Sequence, residues 1–258
     1  MKIATWNINS LTVRLPQVLD WLAAHPVDAL GLQELKLTDD KFPFAALQDA
    51  GYHAVAFGQK TYNGVALLAR SPLRDVVRNI PGHGDAQARV LAATVDSASG
   101  PVRLVNCYFV NGQAPGTDKF AYKMLWLQAL HDWLRSEIAQ HPRLVLLGDF
   151  NVAPEDRDSF DPEGLRGTIH HTDEERAHFQ ALLALGLTDA YRLFEQPEKS
   201  YSWWDYRMLG FQKNRGLRID HILVSEALRG AVTACTIDRA PRKNPQPSDH
   251  APVMVTLG

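Results

Sequence analysis

Cysteine is scarce: the 258-residue chain has two, Cys107 and Cys235, far apart and in no C-x-x-C arrangement. That scarcity excludes a disulfide scaffold and a dithiol redox motif, and it leaves no zinc ribbon. Each cysteine lies inside an apolar run and reads as a reduced residue of the core. No apolar run approaches the ~18 residues of a membrane helix. The chain opens on "MKIATWNINS", a strand pattern with no apolar leader, so the expectation is a cytoplasmic protein with no membrane partner. An excess of one charge is also missing, because 27 Lys+Arg meet 29 Asp+Glu for a net −2. A polyanion partner would therefore have to be met by a local patch, not a global field. Repeats, low-complexity tracts and linker-like stretches are absent too.

What is present suits one domain spanning residues 1–258, long enough to bury on the order of 75% of its unfolded surface. "KIATWNI", "DALGLQ", "GVALLA", "RVLAATV", "VRLVNCYF", "RLVLLGD", "LRIDHILV" and "PVMVTL" read as strands: short, apolar and rich in Val, Ile and Leu. Three segments read as helices. "RLPQVLDWLAAH" has Pro16 near its start and Val18, Leu19 and Leu22 on one face. A longer one runs from about Asp118 to Gln140, with Phe120, Met124, Leu127, Leu130, Leu134 and Ile138 three or four apart. The third begins at Thr172, which has capping-box spacing to Glu175, and turns Phe179, Leu182 and Leu183 inward. Strands outnumber helices and several follow one another directly. This disfavours a doubly wound sheet and favours an α/β (α+β) protein of two packed mixed sheets flanked by helices.

Several strands carry side chains that are costly to bury. "DALGLQ" runs into Glu34, and "RLVLLG" runs into Asp149 and then Asn151. "LRIDHILV" holds Asp220, "VRLVNCYF" carries Asn106 and Tyr108, the first strand holds Asn7, and Asp249-His250 precede the last. Taken singly, most have plain readings. "GDFN" suits a strand-to-loop turn, Glu34 a solvated acid, and Asp249-His250 an ordinary loop pair. Asp220 is harder to dismiss, because it lies between Ile219 and Ile222 and an ionised carboxylate there needs a partner. Six or seven such residues at strand ends suggest ends that converge on one polar site. The set offers hard oxygen donors and a histidine, not the His/Cys set of zinc. Hard oxygens without a closed cage suit Mg²⁺ or Mn²⁺, completed by water and substrate phosphate, and favour metal-assisted phosphodiester hydrolysis.

"ATWNINSL", "LQELK", "YNGVALL", "GDFNVAP", "YSWWDYR", "RGLRIDHIL" and "SDHAP" follow one another along essentially the whole chain. In that order they resemble the exonuclease III and AP endonuclease branch of the endonuclease/exonuclease/phosphatase superfamily. "GDFN" and "SDH" mark the superfamily; "LQELK", "YSWWDYR" and "RGLRID" narrow it. The resemblance implies a four-layered α/β/β/α sandwich with its site at one end of the sheets. It implies Glu34 as main metal ligand with Asn7 and Asp249 nearby, and Asp149 orienting or deprotonating the attacking water. Asn151 and Asn7 would bind the phosphate beside Tyr108, and Asp220 would hold His250 against it. Whether Asp149 or His250 activates the water stays open at this level. Pairing with Asp220 would favour imidazolium at His250, which calls for a separation below about 4 Å.

The implied partner is double-stranded DNA with 3′ ends or damaged sites, met by a monomer. Two basic loops border the motifs: Arg207, Lys213, Arg215 and Arg218 before Asp220, and Arg239, Arg242 and Lys243 before Asp249. Such runs are ordinarily solvated surface. Trp203, Trp204 and Tyr206 add stacking surface, although one tryptophan of the pair should face the core. Lys119 and Lys123, at the start of the long helix, are further candidates for phosphate contact. In "IHHTDEER", His170 falls where relatives usually carry Gly or Ser, and His171 where they carry Phe. In the family this loop lies near the pocket for a flipped-out abasic sugar, and an imidazole takes some of that space. The expectation is a Mg²⁺-dependent exodeoxyribonuclease III-type nuclease that processes 3′ ends, with weakened abasic-site incision. The alternative is a fully competent AP endonuclease with minor exonuclease activity. A lipid or small-molecule phosphodiesterase should lack "YSWWDYR" and "RGLRID", and a non-catalytic binding module would not need all the carboxylates.

Overall fold

The computed structural model describes residues 1–258. In chain order the first half comprises β1 (Lys2–Asn7), α1 (Leu11–Ala24), β2 (Ala29–Gln33), α2 (Phe44–Asp49), β3 (His53–Phe57), β4 (Val65–Ala69), β5 (Arg74–Arg78), β6 (Val90–Val95) and β7 (Val102–Tyr108). The second half comprises α3 (Asp118–Gln140), β8 (Leu144–Asp149), α4 (Asp173–Ala184), β9 (Leu187–Asp189), β10 (Trp203–Trp204), β11 (Gly216–Leu217), β12 (Asp220–Ser225), α5 (Glu226–Arg229), β13 (Val232–Ile237) and β14 (Val253–Leu257).

Two six-stranded mixed sheets stack face to face, ordered β13-β14-β1-β2-β4-β3 and β5-β6-β7-β8-β12-β9. Between them lie Ile3, Leu67, Leu91, Leu104, Leu147 and Ile222. On the outer face of the first sheet, Val18, Trp21 and Leu22 of α1 pack with Trp6 and Leu30. On the outer face of the second, Leu127, Leu130 and Leu134 of α3 and Phe179 of α4 pack with Val105 and Leu146. These are the four expected layers. β2, β4, β6 and β12 are buried along their whole length, which is why they read as continuous apolar runs without alternation.

All eight expected strands form. The structure adds β3, β5, β9 and β13, whose residues alternate or are partly exposed and so carry a weaker apolar signal, and the two-residue strands β10 and β11, too short to show a pattern. Helix α3 has the expected limits, with the Thr117 hydroxyl capping Phe120 N. Helix α4 has the expected capping box: Thr172 Oγ1 accepts from Glu175 N, and Glu175 Oε2 accepts from Thr172 N, both at 3.1 Å. Helix α1 begins at Leu11, well before Pro16, so the proline lies inside it rather than at its start. Both cysteines are buried and unpaired. No helix is long and apolar enough to cross a membrane.

Three polar residues that resembled site or surface groups are internal fastenings. Asn106 joins the two sheets: its Nδ2 donates to Leu32 O and Ala66 O, and its Oδ1 accepts from Gln33 Nε2 at 2.7 Å. Arg218, from one basic loop, is 1% exposed. Its Nε donates to Asp158 Oδ1 at 2.6 Å and its Nη2 to Asp189 Oδ2 at 2.8 Å. Arg242, from the other, is buried with its guanidinium over Trp204, Tyr206 and Phe211. A guanidinium can be buried when carboxylates or aromatic faces replace its water.

Burial alone would raise the Asp158 carboxyl, but Arg218 and then Arg192 outweigh it and hold it below the usual carboxylate range. The stabilisation is therefore present above the unfolded-state value of ~3.9 and is lost as pH falls through the lower folded value. Asp158→Asn should cost about 3 kcal/mol by leaving Arg218 undercompensated. Calorimetry at neutral pH should show a melting temperature lower by roughly 10 °C, shrinking toward zero in acid. An unchanged neutral-pH melting temperature would refute the assignment.

Candidate active site

Strand register brings the polar residues together. β1 and β2 are parallel with Asn7 opposite Gln33, so Glu34 emerges beside Asn7. β7 and β8 are parallel with Tyr108 opposite Asp149, and β12 runs antiparallel to β8 with Asp220 opposite Asp149. Asp220 is thus the first residue of its strand, at the same sheet end as the others. At Gly148, where φ is +146°, a Cβ would lie 1.8 Å from Cys107 O, so only glycine lets β8 deliver Asp149 so close to β7.

The "SDHAP" segment is sewn between β1 and the tryptophan segment. Ser248 Oγ donates to Asn7 O at 2.6 Å, Trp204 N to Asp249 O at 3.0 Å, and Ala251 N to Ser202 O at 2.7 Å. Ser202 Oγ in turn accepts from Ile219 N and Asp220 N. The "YSWWDYR" residues therefore fix both Asp220 and His250 in place. His250 Nδ1 lies 2.9 Å from Asp220 Oδ2, within the expected reach, and its Nε2 is 3.7 Å from Asp149 Oδ2. Ligand atoms of Glu34, Asp149 and His250 all fall within 4.8 Å of one another.

Asn7 Nδ2 donates to both Glu34 Oε1 (2.8 Å) and Asp149 Oδ2 (2.9 Å), while its Oδ1 accepts from Asn9 N. It turns its amide donors, not its oxygen, toward the carboxylates, which differs from a ligand role. Asp249 stands outside the three-residue group. Its oxygens accept from Asn9 Nδ2 and Trp203 Nε1, both at 3.0 Å. Asn151 N donates to Asp149 Oδ1 at 2.9 Å, and the Asn151 side chain bonds Asn111 Nδ2 and Phe109 O. Tyr108 stands beside Glu34 and Asp149; burial, then those carboxylates, raise its phenol well above the ordinary value, so it stays a neutral donor. Lys36, unassigned in "LQELK", pairs with Glu34 Oε2 at 2.9 Å. Its place beside the expected ligand in that motif was the available signal.

Around this centre the expected DNA contacts separate. Lys119, Arg207 and Arg215 are exposed, Arg207 resting on Asp205 and Arg215 over the Phe160 ring. Trp203 is half-buried and Trp204 fully buried, as alternation requires. Lys123 is fully buried and cannot reach DNA. His171 is also buried, between Ile169 O and Ser159 Oγ, so it packs the loop and does not face substrate. His170 is half-buried, and its Nδ1 lies 2.6 Å from Asn151 O. Because a carbonyl only accepts, Nδ1 carries the proton and Nε2 is the free nitrogen. Burial, then Lys123, push its pKa down to about 3, so it is neutral.

Burial alone would strip the His250 proton; Asp220, helped by Asp149, outweighs it and pushes the pKa up to about 10. Asp149 moves upward, chiefly through burial, with Asp220 and Glu34 adding to it against His250. The ion pair therefore contributes fully below the unfolded histidine value of ~6.5 and is lost as pH rises through about 10. In the metal-free protein at pH 8, ¹⁵N NMR should show His250 as imidazolium, and Asp220→Asn should abolish that signature. A neutral ring at pH 8 in the parent would sink the assignment.

Comparison with known proteins places this geometry. The profile of the Endonuclease/Exonuclease/phosphatase family matches residues 4–250. The chain is 36% identical to the exodeoxyribonuclease III of Haemophilus influenzae over 98% of each sequence. It superimposes on a 3′ phosphatase, NExo, from Neisseria bound to product DNA hairpin, with a TM-score of 0.97, 51% identity and coverage of 100% and 99%. It also superimposes on an AP endonuclease from Archaeoglobus fulgidus, with a TM-score of 0.94, 32% identity and the same coverage. The chain belongs to the endonuclease/exonuclease/phosphatase family, as a hydrolase of the exodeoxyribonuclease III and AP endonuclease type of DNA repair nuclease.

Proposed function

We propose that the protein, acting as a single-domain monomer, hydrolyses phosphodiesters at DNA 3′ ends in a Mg²⁺- or Mn²⁺-dependent reaction. The observation that carries this is the group of Glu34, Asp149 and His250 within 4.8 Å, with Asn7 bridging the two carboxylates. The donor chemistry fits a hard divalent cation: carboxylate oxygens, a half-buried Glu34 and no thiolate. Glu34 would hold the ion, which when bound supplies Lewis-acid stabilisation of phosphoryl oxygens.

The chain's own residues do the rest. His250, held as a cation by Asp220, has no lone pair to take a proton. It therefore donates from Nε2 to a phosphate oxygen, where transition-state charge gathers. That leaves Asp149 to take the proton of the attacking water. Its raised pKa makes it a better base than an exposed carboxylate, and Asn7 and Asn151 N–H fix its orientation. Asn7 and Asn151 would position the phosphate, Tyr108 would donate to it, and Asp249 would hold Asn9 and Trp203 at the rim. Lys119, Trp203, Arg207 and Arg215 would contact the duplex, supplying the positive charge that the whole chain lacks.

His170 favours end processing over abasic incision, because its imidazole is anchored on Asn151 O, beside the phosphate-binding group. His170 also has φ +70°, a left-handed conformation that glycine adopts without strain. His170→Gly should therefore fold well and open the pocket, raising abasic-site incision about ten-fold. Matched duplexes with and without an internal abasic site measure this. No gain would remove steric blocking, and efficient parental incision would favour the fully competent AP endonuclease. On 3′-labelled duplex, Glu34→Ala should lower kcat on the order of 100-fold or more. Mononucleotide release that survives EDTA, or parental activity in Glu34→Ala at saturating Mg²⁺, would overturn the metal role.

A further inference from the structure

Lys123 and Glu175 form an ion pair with both side chains at 0% exposure, behind the site and touching none of its carboxylates. Charges that deep are retained only when each is multiply compensated, and apart from the pair itself and the α4 capping box every compensating bond here runs to a loop that borders the site. Lys123 Nζ donates to Asn151 O at 2.8 Å, to Asn111 O at 3.2 Å and to Glu175 Oε1. Glu175 Oε1 also accepts from His170 N at 3.1 Å, while its Oε2 accepts from Thr172 N and, at 2.8 Å, from Thr172 Oγ1. One pair thus joins α3, the N-terminus of α4, the "GDFN" loop, the loop of Asn111 and the histidine loop.

The convergence on Asn151 is the informative part. Its carbonyl accepts from Lys123 and from His170 Nδ1, and its N–H donates to Asp149 Oδ1. Its φ of +50° and that of His170, +70°, are left-handed conformations that persist only when surrounding bonds over-determine them. We infer that Lys123 and Glu175 are positioning residues: together they set the Asn151 peptide, hence Asp149 and the Asn151 amide, and lock that setting to the His170 loop. They act through these groups and do not meet substrate. Substrate selection at His170 and phosphate alignment at Asn151 are then one mechanical unit.

This rests on the nuclease reading above, and the test separates the two. Lys123→Met strands a buried carboxylate and should lower the melting temperature. Lys123→Met combined with Glu175→Gln removes both charges and should recover much of it. If the pair were only structural, the double variant would recover activity with stability. On the positioning account kcat on 3′-labelled duplex with Mg²⁺ stays at least about ten-fold low, because the Asn151 carbonyl has lost its ammonium donor. DNA affinity by fluorescence anisotropy in EDTA should stay within about three-fold of the parent, since the exposed duplex contacts are intact. All rates are read where near-ultraviolet circular dichroism shows each variant fully folded. A double variant with kcat within about two-fold of the parent overturns the inference, whatever its melting temperature. A parent without activity on any DNA end overturns the nuclease reading instead.

Discussion

Two carboxylates placed directly opposite each other in adjacent antiparallel strands set the terms for the rest of this molecule. Asp149 and Asp220 are 1% exposed and paired in register at the end of β8 and the start of β12. Like charges so placed in low dielectric cannot both ionise without a cation. His250 is that cation, bonded to Asp220 and 3.7 Å from Asp149. The C-terminal segment must therefore return across β1 to deliver it, which accounts for the bonds joining Ser248, Asp249 and Ala251 to Asn7, Trp204 and Ser202. An electrostatic requirement at one sheet end thus fixes chain segments distant in sequence.

Around this centre, several charges are used internally, enclosed in buried pairs. Arg218 holds the loop of Asp158 and the end of β9 immediately before Asp220 enters its strand. Lys123 holds the loops of Asn111 and Asn151 on the other side. In both cases the ion is flanked by groups that replace its hydration, so removing either partner would strand a buried charge. Some of the basic residues left on the surface, Arg207 and Arg215 among them, lie on the segment that leads into Asp220, and Lys119 is exposed at the start of α3. A small formal charge is therefore compatible with a polyanionic substrate.

Much of the fold was legible. The eight apolar runs became strands because full burial between layers demands such runs, and the Thr172–Glu175 spacing became a capping box because it satisfies two helix-end N–H groups. β3, β5 and β13 were not legible, since partly exposed strands at or near sheet edges need no apolar continuity. Of the site, Asp220 was identifiable as a charge without an evident partner, whereas Glu34, Asp149 and His250 stood out only as a set of polar residues at strand ends and through the order of the motifs. Asn106 has the same signature but bonds the two sheets together, because a buried amide can be satisfied by backbone as well as by a site. Lys123, Arg218 and Arg242 resembled a DNA-facing surface, and only packing showed their charges to be enclosed.

By itself, the sequence determined the layer architecture, the chemistry of the donor set and the family, because these depend on residue type, local periodicity and motif order. Tertiary structure alone decided which nitrogen His170 exposes, that Asn7 offers its amide rather than its oxygen, that His171 packs inward, and which basic residues face solvent. Those outcomes depend on strand register and on contacts between residues far apart in the chain. Identical residue types meet opposite fates there, according to what lies across the next strand.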